Sequence, residues 1–319
     1  MGEGAKVTEV VQGSRPSPSW RNVCLTIGNF DGVHLGHQQL VHELGRMSQR
    51  KGTQGVALTF FPHPAEVLTA GRPQRLLPLE DRIRMLLSVG ATGAWVLPFD
   101  RKLSSLSAER FVEDVLLSRS AISGLVVGPD FRFGANREGD SALLAWFGER
   151  KGFEVSVVPP LEVDGMRVSS SFIRRLLMEG KVADATRMLG RTYRVKGTVV
   201  RGKQVGTSLG FPTANLCLSD DVLVPANGIY VIRMRIGRTP SESTPLDGVA
   251  NVGHRPTLDN GPLQVEAHLF GIERPLYGEV VTLEFLERIR DERRFGTLEE
   301  LRAAIRQDVE RARRYFGRQ

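Results

Sequence analysis

The sequence predicts an α/β domain built on a parallel sheet, followed by a smaller all-β domain that ends in a helix. Three observations lead there. From Val23 to about Ser156, short β-branched runs alternate with helical patterns, which is how right-handed βαβ units are written. From Tyr193 to about Leu286 the runs are short, alternating and punctuated by Gly, Pro and Asn, with no helical stretch between them, as in an antiparallel sheet or small barrel. Finally, Leu298, Leu301, Ile305 and Val309 recur at spacings of three and four among Arg and Glu, the signature of a docked amphipathic helix. The change of period puts a boundary near Gly190, dividing the chain into residues 1–189 and 190–319.

In the first half, VCLTIG precedes a helical pattern over Gln38 to Gln49, VALTFF precedes one over Leu79 to Ser88, and AWVLPF precedes one over Ala108 to Leu117. LVVG and FEVSVV follow, separated by a helical stretch around Ala142 to Arg150. Ligands of parallel sheets collect at the carboxyl ends of the strands, and the unusual polar clusters GNFDGVHLGH, FPHP and GPDFRFG all fall at such ends. Two short helical patterns, SSFIRRLLMEG and VADATRMLG, lead into the second half. Its strands read YRVKGTVVRG, IYVIRMRIG, LQVEAHLFG and GEVVTLEFL.

The 319 residues are 41% hydrophobic and 25% charged, ordinary globular composition and enough chain for two cores. A net charge of +7, carried mostly by Arg, attracts phosphorylated small molecules or polyanions. An RNA-binding role ranks below a small-molecule one, because the strands offer few exposed-looking aromatics for base stacking. The basic side of the closing helix reads as a solvated face. Cys24 and Cys217 sit in apolar stretches without a CxxC, so both are expected to be buried thiols rather than disulfide or zinc ligands. With no signal-peptide core and no run long enough to span a bilayer, the expectation is a cytoplasmic protein without a membrane partner.

The chemistry begins at GNFDGVHLGH. A strand ending at Gly28 and a helix beginning close to His34 place unpaired N–H groups, the positive helix end and two imidazoles, His34 and His37, in one spot. That arrangement suits nucleotide phosphates and charge building on a phosphoryl oxygen. Two histidines without a nearby third ligand make a zinc site less apt. Farther on, VSSSFIRRLL offers Ser170 and Ser171 at a helix start and Arg174 one turn in, where the helix dipole disfavours a cation unless an anion is bound.

In the second half, GKQVGTSLGFPTANL contains a formal GxSxG at Gly206 to Gly210. A hydrolase elbow needs a helix directly after the serine, whereas Phe211-Pro212 imposes extended backbone. The glycines instead let a loop approach a polyphosphate, with Thr213 and Asn215 as neutral oxygen ligands for magnesium. No GxxxxGK[ST] occurs, so an ATP site here is not a Walker loop. In LQVEAHLFG, alternation puts Glu266 on one face with Gln264 and His268. Glu266 is a general base if that face lines a pocket, and an ordinary solvated residue if it does not.

These stretches carry a resemblance. HLGH at His34 to His37 and SSSFIR at Ser169 to Arg174 resemble the paired signatures of nucleotidyltransferases that attack ATP directly. With TFFPHP, VVGPDFRFG and VDGMRVSSSFIR, they look like the adenylyltransferase half of the bacterial bifunctional riboflavin kinase and FAD synthetase family. GxxLGFPTANL, GVANVGHRPT, EAHL and FLERIRDERRF look like its riboflavin kinase half. Ser171 stands where that family usually has Thr, keeping the hydroxyl, and Thr207 stands where it generally has Arg.

The resemblance implies a Rossmann-like nucleotidyltransferase sheet, a six-stranded antiparallel barrel with a terminal helix, and two ATP-dependent steps from riboflavin through FMN to FAD, with Mg2+. It implies a catalytic set of Glu266, His34, His37 and Arg174. Nucleotide contacts would come from Gly28, Asn29, Phe30, Asp31, Gly32, Gly36, Ser170, Ser171, Gly206, Gly210, Pro212 and Thr213, with Thr213 and Asn215 on the metal. Flavin contacts would come from His63, Asp130, Phe131 and Arg132 in one half, and from Asn251, Arg255, Arg290 and Phe295 in the other. The expected partners are riboflavin, FMN and ATP, with no nucleic acid; a homo-oligomer is left open. The alternative is a chain in which only one of the two activities survives.

Overall fold

A computed structural model describes residues 8–69, 74–118, 121–202, 206, 209–219, 221–237, 244–254, 263–272 and 274–317. Thr207 and Arg255 lie outside them. The chain divides into two compact units, Met1–Ser170 and Ser171–Gln319.

The first unit is a six-stranded parallel sheet of β1 (Glu9–Gln12), β2 (Asn22–Ile27), β3 (Gln54–Phe61), β4 (Gly93–Pro98), β5 (Ala121–Val127) and β6 (Glu154–Val157), in the order β1-β4-β3-β2-β5-β6. The chain winds outward from β2 to β4 on one side and from β5 to β6 on the other. Where winding reverses, between β2 and β5, a crevice opens beyond the strand ends. The central strands are apolar on both faces because helices cover both. On one face α1 (Leu35–Arg50) lays Leu44 and Met47 against Cys24 and Val126, while Trp95, Leu58 and Leu25 pack with Phe111, Val115 and Phe147 in a separate cluster. The short helices α2 (Pro64–Leu68), α3 (Leu79–Ser88), α4 (Arg101–Ser104) and α5 (Ala108–Arg110, continued by a π-helical turn over Phe111–Leu117), with the longer α6 (Ser141–Lys151), complete the layers. A hairpin of β7 (Glu162–Val163) and β8 (Met166–Arg167) follows. Strand β1 has no counterpart in the sequence reading, because EVVQ is four residues long and its edge position demands no apolar run.

The second unit opens with α7 (Ser170–Met178, its first residue closing the first unit) and α8 (Val182–Leu189). A closed barrel follows, of β9 (Tyr193–Val200), β10 (Ala214–Leu218), β11 (Gly228–Ile236), β12 (Leu246–His254), β13 (Leu263–Leu269) and β14 (Val280–Arg290). Every pairing is antiparallel. Alternation sends Tyr230, Ile232, Val265, Ala267 and Phe285 into the buried interior, and leaves Val231 and Val249 to pack outside against Val309 and Ala312 of α9 (Leu298–Phe316). The closing helix is therefore docked through its apolar stripe, except that Leu298 at its first turn is 63% exposed. Cys24 is buried as expected but Cys217 is exposed. Its neighbour Leu216 takes the inward place on β10, and the period of two turns Cys217 out.

Candidate active sites

At the reversal point, His34 caps α1: its backbone is extended, and its Nδ1 accepts from the His37 N–H at 3.3 Å. The two imidazoles stack with centroids 3.6 Å apart, and Phe30 meets the His37 ring edge-on at 5.3 Å. Gly36 allows the close stack, since a Cβ there would lie 3.3 Å from the His34 ring. The loop before the helix turns through positive φ at Phe30, Gly32 and Val33. Left-handed backbone at two non-glycine residues costs energy that surrounding contacts must offset. Phe30 offsets it by complete burial, and Asp31 by accepting from the Leu76 and Leu77 N–H groups at 3.0 to 3.2 Å. Both side chains thus point into the protein, and what these two positions offer a ligand is their backbone.

Beneath the loop lies Arg82, only 2% exposed. Its Nη1 donates to the Asn29 carbonyl at 2.5 Å and to Thr59 Oγ1 at 3.3 Å. Burial pushes this guanidinium below the usual arginine value, and the Asp31 carboxylate opposes that shift. Nothing in the sequence marks Arg82, because an arginine in an amphipathic helix defaults to the solvated face. Ser170 Oγ donates to the Asp31 carbonyl at 2.8 Å. Ser171 and Arg174 belong to the second unit.

A cavity of about 790 Å3 opens beside this loop. Gly28 and Asn29 after β2, Phe60 on β3, Phe99 after β4 and Asp130, Phe131 and Arg132 after β5 line it. It therefore gathers the carboxyl ends of four strands. Phe131 and Phe133 stack at 5.5 Å. Asp130 pairs with Arg167, and Arg132 with Asp140 at 3.1 Å. His63 caps α2, with Nδ1 accepting from the Ala65 N–H; its neighbour Pro64 lines the cavity.

The second unit holds a cavity of about 370 Å3 between the outer barrel wall and α9, with Gly206, Thr213, Asn251, Glu266, Arg290 and Phe295 among its lining. The register explains why these residues converge. Glu266 pairs with Asn215 of β10 on one side and with Asn251 of β12 on the other, so three polar side chains share one row of the wall. Asn251 Nδ2 donates to Glu292 at 3.4 Å. Asn215 is buried against Gly202, where a Cβ would fall 2.2 Å from the amide nitrogen. Gly206 sits equally close to its loop, for a Cβ there would lie 2.4 Å from the Phe211 carbonyl. Gly210, with φ of +88°, turns the chain back toward β10. Arg290 is clamped to Asp308 of α9 through Nε at 3.0 Å and Nη2 at 2.7 Å, and stacks over Phe295 together with Arg293. Neither Asp308 nor His268, another lining residue, stood among the sequence candidates; Asp308 looked like one more charge on a helix.

Two family models match the chain, FAD synthetase over residues 17–172 and riboflavin kinase over residues 189–316. The curated bifunctional riboflavin kinase/FMN adenylyltransferase of Escherichia coli K12 is 37% identical over 92% of both chains. This chain belongs to that family. The Listeria monocytogenes member is 34% identical over 93% of each chain. A solved structure titled macrolide-efflux protein, from Streptococcus pneumoniae, is 29% identical, covers 95% of this chain and 98% of its own, and superposes with a TM-score of 0.86. Among the described residues here, no helix is long and apolar enough to cross a membrane.

Proposed function

We propose that the two units of this bifunctional enzyme act in sequence in the cytoplasm: the barrel phosphorylates riboflavin to FMN with ATP, and the parallel-sheet unit joins FMN to AMP from a second ATP, releasing pyrophosphate. The observation that carries the reading is Glu266 on the lining of the cavity beneath α9, with Asn251 beside it on β12 and Asn215 next to it in register on β10. Glu266 takes the proton of the ribityl 5′-hydroxyl as that oxygen attacks the γ-phosphate. Gly206, Gly210 and Pro212 bring the loop backbone to the phosphates, and the row of Asn251, Arg290 and Phe295 receives the flavin. Arg255 joins them by resemblance alone.

Magnesium suits this wall. Thr213 and Asn215 are neutral oxygen donors, and among the described residues no cluster of three His, Cys, Asp or Glu forms a protein-only cage. A small hard cation that keeps its waters and is held mainly by nucleotide phosphates needs no more than that. Thr213 and Asn215 would hold it, and when bound it neutralises charge on the transferring phosphoryl group.

In the other unit, the backbone of Gly28, Asn29, Phe30, Asp31 and Gly32 with the helix start at Gly36 cradles the ATP phosphates. His34 and His37 stabilise charge at the α-phosphate. Ser170 supplies a further anion contact, Ser171 and Arg174 are assigned to anion binding by resemblance alone, and His63, Asp130, Phe131 and Arg132 hold FMN. No covalent enzyme intermediate is required, since in-line attack needs position and charge stabilisation. The substrates are small molecules only. The test is Glu266→Gln supplied with either flavin: riboflavin should remain unphosphorylated while FMN still becomes FAD. Phosphorylation at the native rate would remove Glu266 as the base.

A further inference from the structure

The ladder between β10 and β13 runs Leu216 with Val265, Asn215 with Glu266 and Ala214 with Ala267. One more step would set Thr213 opposite His268. The backbone ladder stops short of it, and Pro212, just before Thr213, has no N–H to give. The connection is made instead by a side chain: His268 Nδ1 lies 2.9 Å from the Pro212 carbonyl oxygen. A carbonyl only accepts, so Nδ1 carries the hydrogen and donates. The neutral ring is therefore the Nδ1–H tautomer, with Nε2 left as its acceptor. Edge-to-face packing against Phe211 at 5.5 Å and Phe270 at 5.9 Å holds the ring in place.

We propose that His268 is a positioning residue for phosphoryl transfer, locking the Pro212 carbonyl to the strand that carries Glu266 and so setting the distance between the Thr213 hydroxyl and the base. The proposal rests on the kinase reading of this cavity. Thr213 and Glu266 both line the cavity but stand on different elements, and the His268 side chain ties the loop to the strand just where the backbone ladder ends. Reacting groups tolerate little misplacement, so a lost tether shows in nucleotide binding and turnover without any lost substrate contact.

Three full-length variants separate the roles of the ring nitrogens. In His268→Asn the amide N–H falls near the place of Nδ1; in His268→Gln it falls near Nε2; His268→Ala removes both. The expected result is a KM for Mg-ATP in riboflavin phosphorylation raised about five- to tenfold in Ala and Gln, the scale of one ordinary hydrogen bond. Asn should restore it to near the native value, which shows that the barrel folds without the ring, and FMN adenylylation should be the same in all four proteins. Rescue by Gln but not Asn would mean that the ring touches substrate through Nε2, and would overturn the proposal, as would a native KM in Ala. The 15N spectrum of the ring, assigned by its loss in His268→Gln, reads the tautomer above pH 8, and an Nε2–H form would also overturn it. If the native protein leaves riboflavin unphosphorylated, the functional reading fails, and the tautomer measurement still decides the hydrogen bond on which the proposal stands.

Discussion

The two candidate sites would meet the same problem, a polyanion and a reacting flavin, with different parts. The parallel-sheet unit builds its cradle from backbone: a strained loop, a helix end capped by His34, and buried supports in Asp31 and Arg82 that never face the cavity. The barrel builds its site from side chains on an outward strand face, given a roof by α9 and clamped by Arg290 and Asp308. A backbone site depends on what lies under it, and a side-chain site on register. Substitutions should therefore do different kinds of damage in the two units.

The sharpest way to break that contrast is Glu266→Gln, which keeps the shape of the row and removes the proposed base. Riboflavin phosphorylation should fall by about 10²- to 10⁴-fold, and adenylylation of supplied FMN should be untouched. His37→Ala is the converse: adenylylation should fall by about 10²- to 10³-fold while FMN accumulates from riboflavin. Parallel loss of both activities in either variant would mean that the sites are not separate.

A smaller effect tests the buried support. Arg82→Met removes the donor to Asn29 and Thr59, and the parallel-sheet unit should lose about 2 to 3 kcal/mol, the scale of a hydrogen bond from a charged group. All three tryptophans, Trp20, Trp95 and Trp146, belong to that unit, so their fluorescence in urea reports its unfolding alone. A midpoint within error of the native one would show that the loop needs no such prop. The mildest variant is Gly202→Ala, whose new methyl meets the Asn215 amide. The Mg2+ concentration for half-maximal riboflavin phosphorylation should rise about tenfold, the equivalent of ~1.4 kcal/mol, with that for adenylylation unchanged.

The contrast also explains what could be read in advance. The alternation of strand and helix, the glycine-bearing loop and the start of α1 beside His34 were legible because such turns announce themselves through glycine and helix-start chemistry. What lies over the Glu266 face was not, since alternation names a face without saying what covers it. That answer needed the pairing of β10, β12 and β13 and the long-range docking of α9. Arg82 and Asp308 were hidden for the same reason: a charge in an amphipathic helix looks solvated until a partner from elsewhere buries it. The exposed Cys217 shows the limit in the other direction, where an apolar neighbourhood in sequence belonged to only one side of a strand.

One measurement tests the central claim of two independent sites on one chain. Purified native protein would be incubated with riboflavin and Mg-ATP beside His37→Ala and Glu266→Gln, and the flavins separated by chromatography. The expected products are FMN and FAD from the native protein, FMN alone from His37→Ala, and unchanged riboflavin from Glu266→Gln with FAD restored on adding FMN. A native protein that makes FAD from FMN but leaves riboflavin untouched would contradict it.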